Sequence, residues 1–471
     1  MLPPSCKPEQ PPTLPKDLIK ALKKILGKGN LLTSDLELTA YSYDATAISA
    51  LPQAVAIVTD RAQVAPIVKL CTQHRLPIIP RGAGSGFSGG TVPINGGLVL
   101  VLANLTSCSF EFGPPPHIYA QPGALTSQIQ ALAKLHGFFY PPDPASQEFS
   151  TIGGNIAVGA GGPHGLKYGT TRDYVVGLDL VLPDGSEVSA ERGGGAGNDL
   201  LELVIGSEGT LAVIVGALLR LLPLPPYSAS LMLAFADQTS AIRCVQRMVA
   251  SGLTPARLEF MDRYCLKAVG EYMESPLPTE GAALLLEEDG LPEDVNRLLD
   301  RCKKLAHRMG AKKALLAEDQ PTQDIIWEAR NAISPALARY GPTKVNEDIC
   351  VPPDRLAETL TGLENIAQKH RVFVANFGHA GDGNIHVNLI GDKRRPQEMA
   401  RIEDAVEEIF SLVLKMGGTI TGEHGEALTK QKYLREEASP LATALFQKIK
   451  QTLDPQNILN PGKIFPLQNH S

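Results

Sequence analysis

The sequence predicts an α+β protein of two domains, the first of them discontinuous, and three observations carry that reading. Its 471 residues exceed the length over which one hydrophobic core keeps growing. Early in the chain, Ala54-Val-Ala-Ile-Val58, an amphipathic stretch from about Ala62 to His74, and Pro77-Ile-Ile-Pro80 alternate as strand, helix and strand. Late in the chain, two apolar runs between Val372 and Ile390 flank an Asp-Gly dipeptide, which marks an antiparallel hairpin. The expected division is residues 1–222, then 223–440, with 441–471 returning to the first domain.

Composition narrows the function classes. The formal charge of −6 is small for this length, and no stretch gathers enough Lys and Arg to cover a phosphate backbone, which argues against a nucleic-acid partner. Seven cysteines, at 6, 71, 108, 244, 265, 302 and 350, form no CxxC pair. That scatter points to a reducing compartment and away from a zinc ribbon or an iron–sulfur cluster in this chain. The proline-rich start, MLPPSCKPEQPPTLPKD, lacks the apolar core of a signal peptide, and no later run is long and apolar enough to span a bilayer. We expect a cytoplasmic protein, with peripheral attachment to a membrane open through a partner.

A helix is expected at Lys16 to Leu26, ahead of the strand–helix–strand unit. Directly after that unit comes Arg81-Gly-Ala-Gly-Ser-Gly-Phe-Ser-Gly-Gly90, five glycines in ten residues, whose backbone N–H groups can close on a pyrophosphate. Gly84, Gly86 and Gly89 satisfy GxGxxG, but a nicotinamide-type site needs a helix to open here. Instead Thr91-Val-Pro-Ile-Asn-Gly-Gly97 carries a proline and a turn signal, and the strand Leu98–Leu102 follows.

A β-α-β unit ending in PRGxGSGxxGG resembles the pyrophosphate loop of the vanillyl-alcohol-oxidase-type FAD proteins. Further segments resemble the remaining flavin loops of that family's glycolate and D-lactate dehydrogenase branch, in the same order: Pro141–Ser146, Thr151–Asn155, Gly165–Thr170 and Gly206–Thr210. The resemblance implies a two-subdomain FAD-binding domain of this type, joined to an α/β cap domain built on an antiparallel sheet, with the active site between them. It implies that FAD is held by Pro80, Arg81, Gly82, Ala83, Gly84, Ser85, Gly86, Gly89 and Gly90. Pro144, Ser146, Thr151, Gly153, Gly154 and Asn155 would add to this set, as would Gly165, Tyr168, Gly169, Glu208, Gly209 and Ile214. Covalently flavinylated relatives carry a histidine in the first loop; this loop has none, so the FAD is expected to be non-covalent. His164, the nearest other histidine, reads as a structural loop residue. The closing Leu453-Asp-Pro-Gln-Asn-Ile-Leu-Asn-Pro-Gly-Lys463 resembles the family's DPxxxxNPGK ending and implies a cofactor contact at Asn460.

In the second half, a two-residue turn at Asp382-Gly383 would set Gly381 opposite Asn384, Ala380 opposite Ile385 and His379 directly opposite His386. Directly opposed residues have Cβ atoms about 4.5–5.5 Å apart, close enough for two imidazoles to meet one ion, and Asn388 lies farther along the same face. A structural histidine pair on a half-buried sheet is the alternative. Gly417-Gly-Thr-Ile-Thr-Gly-Glu-His-Gly425 then ends a helix on glycine and presents Glu423 and His424 between two more glycines.

GHxGDGNxHxN together with GEHG resembles the C-terminal domain of FAD-linked 2-hydroxy-acid dehydrogenases, including D-lactate, D-2-hydroxyglutarate and glycolate dehydrogenase subunits. Carried over by position, His379, His386 and Glu423 are implied metal ligands, Asn388 a contact to substrate or to a ligand, and His424 the general base. Two imidazoles and a carboxylate favour zinc, with iron or manganese open. Trp327-Glu-Ala-Arg330 resembles the family's WxxR segment, whose arginine binds the substrate carboxylate, and Ser334 and Lys344 match further substrate contacts.

The expected reaction is oxidation of a small 2-hydroxy acid, glycolate or D-lactate, with hydride passing to FAD. A D-2-hydroxyglutarate-type dehydrogenase and a silent, scaffolding flavin subunit are the alternatives. The resemblance to glycolate dehydrogenase subunits also implies an iron–sulfur electron-transfer partner.

Overall fold

The structure, a computed structural model, describes residues 12–46, 48–193, 197–274 and 277–467. The start of the proline-rich segment and Cys6 lie outside the described residues. The chain divides into two units, one formed by residues up to 160 with 170–223 and 423 onward, the other by 161–169 with 224–422. The second unit therefore closes at Gly422, ahead of the boundary at 440 expected from sequence. Beyond that point the chain is tied to the first unit, where Leu428 N–H donates to Ser88 O at 2.8 Å.

The first unit opens with helix α1 (Lys16–Leu26), whose Leu18, Leu22 and Leu26, four residues apart, form one buried stripe. That stripe shares a core with α2 (Val64–Gln73) and with a four-stranded sheet. The sheet comprises β1 (Leu31–Leu32), β2 (Ala54–Ile57), β3 (Ile78–Arg81) and β4 (Leu98–Val101), in the order β1-β2-β4-β3. β2 and β3 run parallel to β4: α2 makes the crossover from β2 to β3, and residues 82–97, which hold the glycine loop, make the return from β3 to β4. Every residue of β4 is buried, as both faces of a covered parallel strand must be. The C-terminal tail extends this sheet: Ile78 N–H donates to Ile458 O, and Asn460 N–H to Ile78 O. A second sheet of this unit is antiparallel, with β5 (Cys108–Glu111), β6 (His117–Ala120), β7 (Val175–Val181), β8 (Glu187–Glu191) and β9 (Val213–Arg220) in the order β5-β6-β9-β7-β8.

The second unit is built on one antiparallel sheet of seven strands: β10 (Tyr227–Phe235), β11 (Arg257–Met261), β12 (Ala282–Gly290), β13 (Lys313–Ala317), β14 (Thr343–Cys350), β15 (Phe373–His379) and β16 (Asn384–Gly391). Their order is β13-β10-β12-β11-β15-β16-β14. Helix α3 (Gln320–Asn331) buries Ile326 and Ala329 in the same core as Ala375 and Phe377 of β15. These features are the α+β architecture expected from the sequence.

The hairpin joining β15 to β16 forms where the Asp-Gly predicts it, but with another register. Phe377, not His379, is paired with His386, and His379 is paired with Glu259 of β11. Residues 380–383 all belong to the turn, so the loop has four residues rather than two. The shift is by two residues, and a strand's side chains alternate with period two, so His379 and His386 remain on one face. Gly383 sets this loop: its φ is +88°, and a Cβ there would lie 1.9 Å from Val351 O. Gly383→Ala is therefore expected to lower stability by more than the ~1–2 kcal/mol of left-handed backbone strain alone, read as a fall in Tm relative to wild type.

Candidate functional site

The glycine loop of the first unit follows directly from β3 and forms one wall of a cleft with about 1280 Å³ of space not filled by atoms, part of it open to solvent. The wall takes residues 80–88, Gly90, Pro144, Ser146, Thr151, Gly153, Gly154, Asn155, Glu208, Gly209 and Ile214. One feature offers a hydrogen bond to a polar cofactor group, and another fixes the shape of the wall. Thr151 Oγ1 is buried on this wall without a hydrogen-bond partner among the described residues. Gly153 approaches Pro122 so closely that a Cβ would lie 2.6 Å from its Cβ and 3.0 Å from its carbonyl oxygen.

Some expected cofactor residues lie elsewhere. Gly165 and Tyr168 form a helical turn of the second unit, where the Tyr168 hydroxyl donates to Asp289 and Lys167 pairs with Glu288 and Asp289. Gly169 ends that turn. Gly89 packs against the Leu428 side chain, and Asn460 Nδ2 donates to Glu208 O at 2.8 Å.

Glu423 and His424 belong to the first unit and stand on the wall of the same cleft, with the His424 ring 5.0 Å from that of Phe87. Glu208 fixes them there. Held at φ +51°, it accepts from Ser88 Oγ on the glycine loop and from the N–H groups of Glu426 and Ala427. One carboxylate thus ties the pyrophosphate-type loop to the segment carrying His424. Burial and the nearby Glu208 charge push the Glu426 carboxyl up to about 7. Lys463 is buried beneath the loop, donating to Gly90 O and Asn460 Oδ1, and burial lowers its ammonium to about 7.

In the second unit a set of polar groups shares one face of the large sheet. At its centre is Glu259 on β11, with no exposed surface. Its Oε1 lies 2.5 Å from His379 Nδ1, and its Oε2 accepts from Arg330 Nε at 2.7 Å and pairs with Nη2. Burial raises the pKa of this carboxyl, but the His379 and Arg330 charges and hydrogen bonds outweigh burial and hold it well below the usual carboxylate range. The Arg330 guanidinium also lies over the Phe377 ring. His379 and His386 have ring centroids 5.2 Å apart.

Across the sheet, β14 pairs Asp348 with His386 and Asn346 with Asn388. Asp348 is fully buried, 3.8 Å from His386 Nδ1, and accepts from Asn384 Nδ2, Thr421 Oγ1 and Gly422 N–H. It thereby sets the segment leading to Glu423. Asn388 is fully buried with its amide spent on Ala375 O, His386 O and Asn346 Nδ2. It braces the sheet rather than offering a free amide. Lys344 donates to Ser334 Oγ, and burial lowers its ammonium pKa. His164 Nε2 accepts from Arg257 Nε at 3.1 Å, a structural placement.

Sequence reasoning missed Glu259, Asp348 and Lys463. The available signal was a charge inside an apolar strand, in Arg257-Leu-Glu-Phe-Met261 and in Val345-Asn-Glu-Asp-Ile-Cys350, since a buried carboxylate demands partners.

Two outcomes are expected. For Glu426, a folded-state value near 7 against an ordinary 4.5 means that its contribution is present below 4.5 and lost as pH rises through 7. Wild type should therefore lose on the order of 3 kcal/mol relative to Glu426→Gln across that window, measured by denaturant unfolding at each pH. Gly153→Ala should force the cleft wall off Pro122 and lower cofactor affinity at least tenfold, about 1.4 kcal/mol, read from the A280/A450 ratio after gel filtration.

Comparison with known proteins gives the family and the fold. The family profile "FAD linked oxidases, C-terminal domain" matches residues 224–464, and "FAD binding domain" matches residues 52–191. Glycolate oxidase subunit GlcD of Bacillus subtilis is 38% identical over 96% of this chain and 97% of its own length. D-lactate dehydrogenase of Anaerostipes hadrus is 31% identical over 95% of this chain and 97% of its own. Among solved structures, p-cresol methylhydroxylase superposes with a TM-score of 0.79 at 16% identity, covering 97% of both chains. Alkyldihydroxyacetonephosphate synthase gives 0.75 at 17% identity, over 96% of this chain and 87% of that one. The fold is thus that of the vanillyl-alcohol-oxidase-type FAD proteins, and the chain belongs to the family of FAD-linked oxidases.

Proposed function

We propose that this enzyme oxidises a small 2-hydroxy acid, glycolate or D-lactate, to the 2-oxo acid, using non-covalent FAD and a divalent metal. The observation that carries the reading is the meeting, on one sheet face, of an arginine and two imidazoles: Arg330 and His379 share the buried Glu259, and the His386 ring lies 5.2 Å from that of His379. Such a face suits a substrate that offers a carboxylate beside a hydroxyl. The relatives named glycolate oxidase subunit and D-lactate dehydrogenase support the same substrate class.

His379 and His386, with Glu423, would hold the metal; two imidazoles and a carboxylate make zinc the favoured ion, ahead of iron or manganese. When bound, the metal would supply Lewis-acid stabilisation of the substrate's alkoxide form, and FAD would supply the hydride acceptor. His424 accepts the hydroxyl proton. Arg330, Lys344 and Ser334 hold the carboxylate, an arginine and an ammonium being suited to anionic oxygens. Asn388 acts by bracing β14 to β16 behind His386.

A small monocarboxylate is favoured over a dicarboxylate. Of the other basic groups in the second unit, Arg257 pairs with Glu287 and Lys167 with Glu288 and Asp289, so neither brings spare charge to a second carboxylate. A separate iron–sulfur subunit would serve as the electron acceptor. In support, the sequence has no CxxC pair, and helix α4 (Pro440–Leu453) buries none of its residues and exposes Leu441, Leu445 and Phe446. No helix among the described residues is long and apolar enough to cross a membrane.

Anaerobic mixing with glycolate, D-lactate, L-lactate or D-2-hydroxyglutarate tests the reading. Glycolate or D-lactate should bleach the flavin absorbance, and prior chelation of metal should abolish the bleaching. His424→Gln should slow bleaching about 10²–10⁴-fold with FAD still bound. Fastest bleaching by D-2-hydroxyglutarate would replace the substrate assignment, and no bleaching by any of the four would leave a flavin subunit without turnover of its own.

A further inference from the structure

We infer that Glu259 is a positioning residue serving two binding events at once, the metal at His379 and the substrate carboxylate at Arg330. The inference rests on the functional reading above and adds a residue to it. Three observations carry it. Glu259 has no exposed surface, so a carboxylate here survives only by being fully partnered. Its two oxygens serve different clients, Oε1 taking His379 Nδ1 at 2.5 Å and Oε2 taking Arg330 Nε at 2.7 Å together with Nη2. Finally, Glu259 is paired with His379 in the strand register itself, so backbone and side chain specify the same contact.

The chemistry follows from donor counting. A carboxylate only accepts, so the ring nitrogen facing it, Nδ1, carries the proton, and Nε2 is left with its lone pair as the metal donor. A carboxylate behind a metal-ligating histidine fixes the tautomer and the ring orientation, and its loss commonly weakens metal binding by about 10–100-fold. At the other oxygen, Nε and Nη2 of Arg330 are spent on Glu259, which leaves Nη1 as the group for an incoming carboxylate. Without the negative charge, Arg330 would be a buried cation with no counter-ion, free to swing out of place.

Glu259→Gln provides the test, because an amide can accept from one client only by presenting its NH2 group to the other. Metal-free variant titrated with Zn²⁺ is expected to show a Kd raised about 10–100-fold. The KM for the hydroxy acid, at saturating Zn²⁺, should rise about tenfold while kcat falls less. A merely structural role would lower Tm and leave the Zn²⁺ Kd and the KM in place, and that outcome would overturn the inference. Wild type needs no variant: ¹⁵N spectra of metal-free protein with labelled histidine should show His379 protonated at Nδ1, and an Nε2-protonated tautomer would sink the proposal even if Glu259→Gln failed to fold. Both the Zn²⁺ titration and the spectra are read without substrate. If wild type oxidises none of the acids while these two readouts respond as expected, the functional reading fails and the metal-positioning role of Glu259 stands.

Discussion

A carboxylate with no water to solvate it constrains its surroundings more than any apolar contact can, because each of its lone pairs must find a donor. Glu259 meets this demand with His379 on the neighbouring strand and Arg330 on a helix distant in sequence. The apolar packing of Ile326 and Ala329 against Ala375 and Phe377 brings that helix onto the sheet face, but it tolerates small slips. The buried ionic contact does not: removing either partner would leave an uncompensated charge, at a cost of about 3–5 kcal/mol. The polar face of the second unit is therefore a geometry enforced by electrostatics on a scaffold assembled by hydrophobic burial.

A parallel logic operates in the first unit. Glycines leave the cleft wall free of side chains, but glycine-rich backbone does not hold its own shape, since it pays the largest conformational entropy on ordering. Glu208 supplies the missing constraint by joining Ser88, Glu426 and Ala427 through one carboxylate. Its own backbone sits at φ +51°, a strained conformation for glutamate that persists because three hydrogen bonds hold it. His424 owes its place on the cleft wall to this link, so the candidate base is positioned by a residue more than 200 positions away in the chain.

The two buried acid systems differ in how their charge is balanced, and the difference separates their roles. Glu259 is kept ionised by the Arg330 guanidinium and by the hydrogen bond from His379. Glu426 faces another carboxylate and is driven toward its neutral form. The first suits a fixed electrostatic anchor, and the second makes the stability of the surrounding segment responsive to pH near neutrality.

Much of the architecture was legible from the chain. Hydrophobic period and turn chemistry act over a few residues, so the helix at Lys16–Leu26, the strand–helix–strand unit and the hairpin between Val372 and Ile390 could be placed from local pattern. The glycine loops, taken together and in order, pointed to a cofactor cleft, whereas the two histidines by themselves suited a structural pair as well as an ion. The hairpin register was not legible, since it depends on Gly383 fitting beneath Val351 and on β11 claiming His379. Nor were the partners of the site residues, Glu259 for Arg330 and His379, Asp348 beside His386, and Glu208 beneath His424. A charge in a strand says only that a partner must exist; which residue answers is decided when distant segments pack and water leaves, and that is a property of the tertiary structure alone.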